Sequence, residues 1–265
     1  MKIRTIALNT FVSFFHNRLL LLFIALFVCV LLLMMIPLMG MKAMSAATDA
    51  QMMQGAVLTL VGNIMALLSG FGSVLAAWAA ADAVGSEMKS GTILAVMARP
   101  VRRWEFLAGK YLGVQLLMVI YVLSMFAMSY LLAWIGGERI LSSPWVMVIY
   151  PLVRYSIYAA VAMLLVSFLH PLFAMALVLI VATLAALVSP GNMRALPEWV
   201  QIPLWIVLPS TGLLSEGRFF VITASSLKAV SALEHLTSLA YGLNYALVLF
   251  MMAIWSFRKR SLSRD

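Results

Sequence analysis

Five runs without a single Asp, Glu, Lys or Arg, Leu19 to Met41, Ala50 to Ala81, Tyr111 to Gly137, Tyr155 to Met193 and His235 to Phe257, take up most of this chain. A hydrocarbon core of about 30 Å is crossed by roughly 20 apolar residues rising 1.5 Å each, and every run is that long. Only 10% of the 265 residues are charged and 65% are hydrophobic, whereas soluble domains carry about 25% charged residues. The chain is therefore expected to be one integral membrane domain, since no polar stretch is long enough to bury a second core of its own. Cys29 is the sole cysteine, so no disulfide forms within the chain. A cleaved signal peptide is excluded by length, because its apolar region runs about 7 to 15 residues and the first run here is longer.

Residues 2–17 precede that run as an amphipathic helix expected to lie in the membrane interface, with Lys2, Thr5, Asn9, Ser13 and His16 on one side and Ile3, Ala7, Phe11 and Phe14 on the other. Six spans are predicted, at 19–41, 55–81, 106–135, 145–169, 173–188 and 237–257. The run from Tyr155 to Met193 is too long for one helix and is divided at His170-Pro171, because proline ends a helix at the residue before it. Gly62, Ser69, Gly70 and Gly72 in the second span are small enough to let neighbouring helices approach closely. Residues 189–236 form the longest outer segment, expected as short helices in the outer interface or re-entering it.

Orientation follows from lysine and arginine, which collect on the cytoplasmic side. With both termini inside, Lys2, Arg4, Arg18, Lys89, Arg99, Arg102, Arg103, Lys110, Arg258, Lys259, Arg260 and Arg264 are internal, twelve of the eighteen basic residues. The same distribution accounts for the net charge of +9 as anchorage to anionic lipid, and no nucleic-acid partner is expected.

The connector 82–105 differs from the others in being both charged and apolar. The second span is expected to continue as helix through Glu87 and to stop at Ser90-Gly91, where glycine accommodates the closing turn. Thr92 then caps a short helix over Ile93 to Ala98, Arg99-Pro100 ends it, and Pro100 can open the helix that leads into the third span. Ile93, Leu94, Val96 and Met97 are thereby displayed between charges, either as a docking site for another protein or sunk into the lipid interface. Glu87 and Arg103 are available to pair across this connector or to remain solvated.

At these residues the chain resembles the ABC-2 type permeases, the membrane subunits of a class of ATP-binding cassette transporters. The resemblance lies in Glu87 with Ser90-Gly91-Thr92, in Arg99-Pro100-Val101 with Arg103, and in Gly109-Lys110-Tyr111-Leu112-Gly113. It extends to Ile6 through Thr10 and to Tyr241, Tyr245 and Phe257-Arg258-Lys259-Arg260. It implies that the N-terminal helix is an elbow helix, that the short helix after Gly91 couples to an ATPase, and that two such permeases, a homodimer, work with two ATPases in export across the cytoplasmic membrane. Arg102 departs from the pattern, since similar proteins have a small hydroxyl residue there. A phosphate-binding loop needs Gly, four residues, then Gly-Lys-Ser/Thr. Trp104 and Tyr111 occupy two of its required positions around Gly109-Lys110, so ATP and magnesium are expected on the partner subunit and no cofactor on this chain.

Apart from Lys110 near the start of the third span, Arg154 is the one charge placed within a predicted span, either a functional group or a side chain snorkelling to the outer headgroups. An ion-coupled secondary transporter is disfavoured because no acidic residue falls inside a predicted span. An intramembrane enzyme is disfavoured because His16, His170 and His235 are far apart and no nucleophile motif accompanies them.

Overall fold

Four of the five charge-free runs fall in helices longer than the runs themselves, and the run from Tyr155 to Met193 is divided between two helices. The computed structural model describes residues 2–44, 50–90, 102–136, 144–187, 197, 199–200, 208–214 and 232–259, and among them no strand occurs. The helices are α1 (Lys2–Phe15), α2 (Arg18–Met44), α3 (Ala50–Ser90), α4 (Arg103–Ile135), α5 (Pro144–Val166), α6 (Pro171–Leu187) and α7 (Ala232–Lys259), with a 3₁₀ turn at Thr211–Leu214. Of these, α2, α3, α4, α5 and α7 are long and apolar enough to cross a bilayer. α6 has 17 residues, about 25 Å of helix, and falls short of the length that marks the other five.

α4 begins at Arg103, three residues before the span expected from Phe106. Arg102 is extended, at φ −74° and ψ 144°, and occupies the N-cap position. Its backbone amide donates to the Glu105 carboxylate at 2.9 Å. A small hydroxyl at this position would accept from the free amides of the first turn, which arginine, a donor only, cannot do. Glu105 supplies the reciprocal half of that cap and places a negative charge at the helix N-terminus. Pro100, expected to open this helix, lies outside the described residues. Pro171 is the first residue of α6, as the break at His170 predicts, and the Ala174 amide bonds the His170 carbonyl at 3.0 Å.

α3 and α5 form the centre of the bundle. Two-thirds of the residues in the apolar core of each are buried, against 12% for α2 and 22% for α7. The alanines Ala76, Ala77, Ala79, Ala80, Ala81 and Ala83 bring α3 close to its neighbours, and Tyr155, Ile157, Ala159 and Ala162 face inward from α5. In lipid the association of helices rests on such close packing, because lipid tails are as apolar as leucine.

Glycines mark the tightest contacts. A Cβ at Gly113 would stand 2.8 Å from the Ala7 carbonyl oxygen and 2.8 Å from Thr10 Cβ, and one at Gly109 would stand 2.7 Å from Ile6. This pair, four residues apart on α4, is the seat of α1, which buries Ala7, Thr10 and Phe14. The face of α1 expected to meet lipid therefore packs on protein, while a second stripe, Leu8, Val12 and Phe15, is exposed. Phe14 continues the contact onto α3, 5.9 Å from the Trp78 ring. Gly72 makes room for the rings of Tyr155 and Tyr121, and Gly85 for the ring of Pro171. Gly70, like Gly40 and Gly55, has no atom within 4 Å of where its Cβ would be.

Of the outer segment 189–236, residues 208–214 are described between α6 and α7, and they are drawn inward. Ser210, Thr211 and Leu214 are buried, the Ser210 amide donates to the Tyr241 hydroxyl at 3.0 Å, and Leu214 packs over Gly242 of α7. At the same end the Tyr150 hydroxyl lies 2.9 Å from His235 Nδ1, and the His235 ring sits 5.0 Å from Trp145.

Candidate functional site

Among the described residues, charged groups interrupt the apolar bundle at one end and at mid-height. At the charged end, Glu87 of α3 forms an ion pair with Lys110 of α4. The Lys110 side chain is 8% exposed and that of Glu87 25%, so the pair is largely withdrawn from water and depends on its own geometry to offset the loss of hydration. Lys110 also lies 5.6 Å from the centre of the Phe106 ring, which stacks on Phe257 of α7 at 6.1 Å. Arg103, the first residue of α4, donates to the Arg258 carbonyl at 2.9 Å and to that of Phe257 at 3.4 Å. A cation placed on the last carbonyls of a helix complements the negative end of its dipole. One turn and a half up α3, Asp82 accepts from the Asn17 amide at 3.1 Å.

The first three turns of α4 thus hold α3 by an ion pair and α7 by a carbonyl cap, while their glycines seat α1. The start of α1, at Gly109, and the end of α7, at Arg103, both lie against the beginning of α4.

Of the residues singled out in the sequence, Glu87 is placed against Lys110 and Arg103 on the last carbonyls of α7. Ser90 is the last residue of α3. Gly91, Thr92, Ile93, Leu94, Val96, Met97, Arg99 and Pro100 lie outside the described residues. Sequence reasoning missed the ion-pair role of Lys110 and the bond made by Asp82. The available signal was that Asp82 and Glu87 belong to the same long helix as the apolar run before them, so that carboxylates do lie within α3.

At mid-height, Arg154 is 8% exposed and donates through Nη2 to the Ser69 hydroxyl of α3. Its guanidinium carbon lies 5.3 Å from the centre of the Tyr155 ring, and the Tyr155 hydroxyl donates to the Ser69 carbonyl at 3.1 Å. The side chain is packed within the bundle, against α3. Arg154 stands ten residues into α5, about 15 Å along its axis, and points into the bundle. It lines a cavity of about 660 Å³ between α3, α5, α6 and the 3₁₀ turn.

An all-helical, multi-pass membrane bundle with no strand among its described residues is the class of protein this fold defines. The chain belongs to the ABC-2 family of transporter proteins: the sequence profile described as "ABC-2 family transporter protein" matches residues 4–262, nearly the whole chain. No curated protein matches it closely enough to be named as a relative. Family membership makes it a membrane permease of an ABC transporter, a class whose members in general work with a separate ATPase subunit.

Proposed function

We propose that this chain couples ATP hydrolysis on a separate ATPase to export of a substrate across the cytoplasmic membrane, acting as a homodimer with ATP and magnesium held by its partner. The observation that carries this reading is the Glu87–Lys110 ion pair. It joins the two helices that flank residues 91–101, so a displacement of that connector reaches α3 and α4 together instead of being absorbed between them. Nucleotide-driven closure of two ATPases would move the docked connector, and the clamped helices would rock as one body. Ile93, Leu94, Val96 and Met97 supply the apolar contact with the ATPase, with Ser90, Gly91, Thr92, Arg99 and Pro100 shaping the short helix that presents them.

In this reading α6 is the fifth of six spans and α1 is the interfacial elbow, its exposed stripe of Leu8, Val12 and Phe15 facing lipid. The basic residues Arg102, Arg103, Arg258 and Lys259 gather at the charged end, which supports a cytoplasmic location for it and for both termini. α2 and α7 expose broad apolar faces, Leu243, Leu247, Met251 and Trp255 among them, suited to lipid and to a second copy of the chain.

The test is co-purification with the ATPase. The parent chain should retain a soluble Walker-motif subunit, and Leu94→Asp or Met97→Asp should reduce the retained amount at least tenfold without changing the amount of permease in the membrane. An undiminished complex in both variants would refute docking through this connector.

A further inference from the structure

The charged end leaves the mid-height cavity unexplained. Placing a guanidinium inside a helix bundle is costly, and an ionisable group retained there marks a binding or transport path by default. Arg154 contributes the only charge among the described residues that line this cavity. Around it stand the hydroxyls of Ser69, Ser73, Thr183 and Thr211, from three different elements. Ser73 and Thr183 bond carbonyls of their own helices, Ser69 at 3.1 Å and Ile180 at 2.8 Å, and a hydroxyl can rotate from such a bond to donate to a ligand. A planar fork of N–H donors beside hydroxyls is the arrangement that recognises phosphate and carboxylate oxygens.

The rest of the wall is apolar, with Val74 on α3 and Leu179 and Ala182 on α6. The cavity's rim includes Ala66 and Gly70 of α3 and Thr183 of α6, all exposed on the flank of the bundle at membrane depth. An entrance at that depth admits a molecule from the lipid phase more readily than one from water. The volume of about 660 Å³ lies within the range of small-molecule sites, roughly 300 to 1,000 Å³.

We infer that this cavity binds an anionic amphiphile, its oxyanion headgroup on Arg154 and the flanking hydroxyls and its apolar part along Val74 and Leu179. As a site for transported substrate this rests on the permease reading above; as a binding site it stands without it.

The experiment uses the full chain purified in neutral detergent, without the ATPase, and titrates it calorimetrically with dioctanoyl phosphatidylglycerol, dioctanoyl phosphatidylcholine and inorganic phosphate. The phosphatidylglycerol should bind at least tenfold more tightly than the phosphatidylcholine. Arg154→Gln should weaken it at least tenfold, and Arg154→Lys should weaken it less. Gly70→Leu supplies the second variant: its Cβ meets nothing within 4 Å, so the fold tolerates it while the side chain narrows the mouth, and binding should again fall at least tenfold. Inorganic phosphate binding as tightly as the lipid, with the same dependence on Arg154, would support the oxyanion site and identify a free anion as its source. Equal binding of the two lipids by the parent, or full binding by Gly70→Leu, would overturn the inference. Loss of the ATPase complex with lipid binding intact would sink the permease reading and leave this site standing.

Discussion

Lys110→Met is expected to yield a chain that reaches the membrane but unfolds far more easily than the parent. Removing one partner of a buried ion pair strands the other charge, at a cost of about 3 to 5 kcal/mol. Because Glu87 keeps 25% of its side chain exposed, the lower end, about 3 kcal/mol, is the expected value. Adding Glu87→Gln to the same chain removes the stranded charge, so the double variant should recover most of the loss. A double-mutant cycle on the midpoint of denaturant unfolding in detergent measures this directly, and independent contributions from the two residues would contradict the ion pair. The cycle has a functional counterpart under the proposed coupling. The double variant should still bind the ATPase but transmit less of its hydrolysis to transport, since the two helices beside the connector would no longer move together.

The second large effect is at Gly113. Valine there places its Cβ 2.8 Å from a backbone oxygen of α1, closer than such atoms approach, and a backbone cannot turn aside as a flexible side chain does. Overpacking of this kind costs about 1 to 3 kcal/mol even where neighbours can shift. Gly113→Val should therefore release α1 from its seat, expose Phe14, which is 2% exposed when docked, and make residues 2–15 accessible to protease. Gly70→Ala is the matched control: with open space at its Cβ it should be neutral or stabilising by about 0.5 to 1 kcal/mol through helix propensity. Equal protease resistance of Gly113→Val and the parent would show that α1 is not held by this contact.

The long elements were legible because their signal, absence of charge over twenty residues, is local and strong. The break at His170-Pro171 was legible for the same reason, since proline acts on its own helix. What could not be read were pairings between elements far apart in the chain. Glu87 and Lys110 are separated by the whole connector, and nothing in their local sequence says which neighbour each will find; Arg103 was an equally good candidate on charge alone. Arg154 was legible as an oddity but not in its direction, because which way a side chain points depends on the rotation of its helix within the bundle. Gly70 and Gly72 show the same limit two residues apart: both read as close-packing positions, yet one receives two tyrosine rings and the other faces open space.

The seat of α1 also sets an order of events during synthesis. α1 is made before α4, and Gly109 and Gly113 follow it by about a hundred residues, some 5 to 20 seconds at translation rates of about 5 to 20 residues per second. For that interval the glycine seat does not exist, and α1 has only the partners made before it, Trp78 of α3 against Phe14 among them. α1 is thus made well before the surface that seats it.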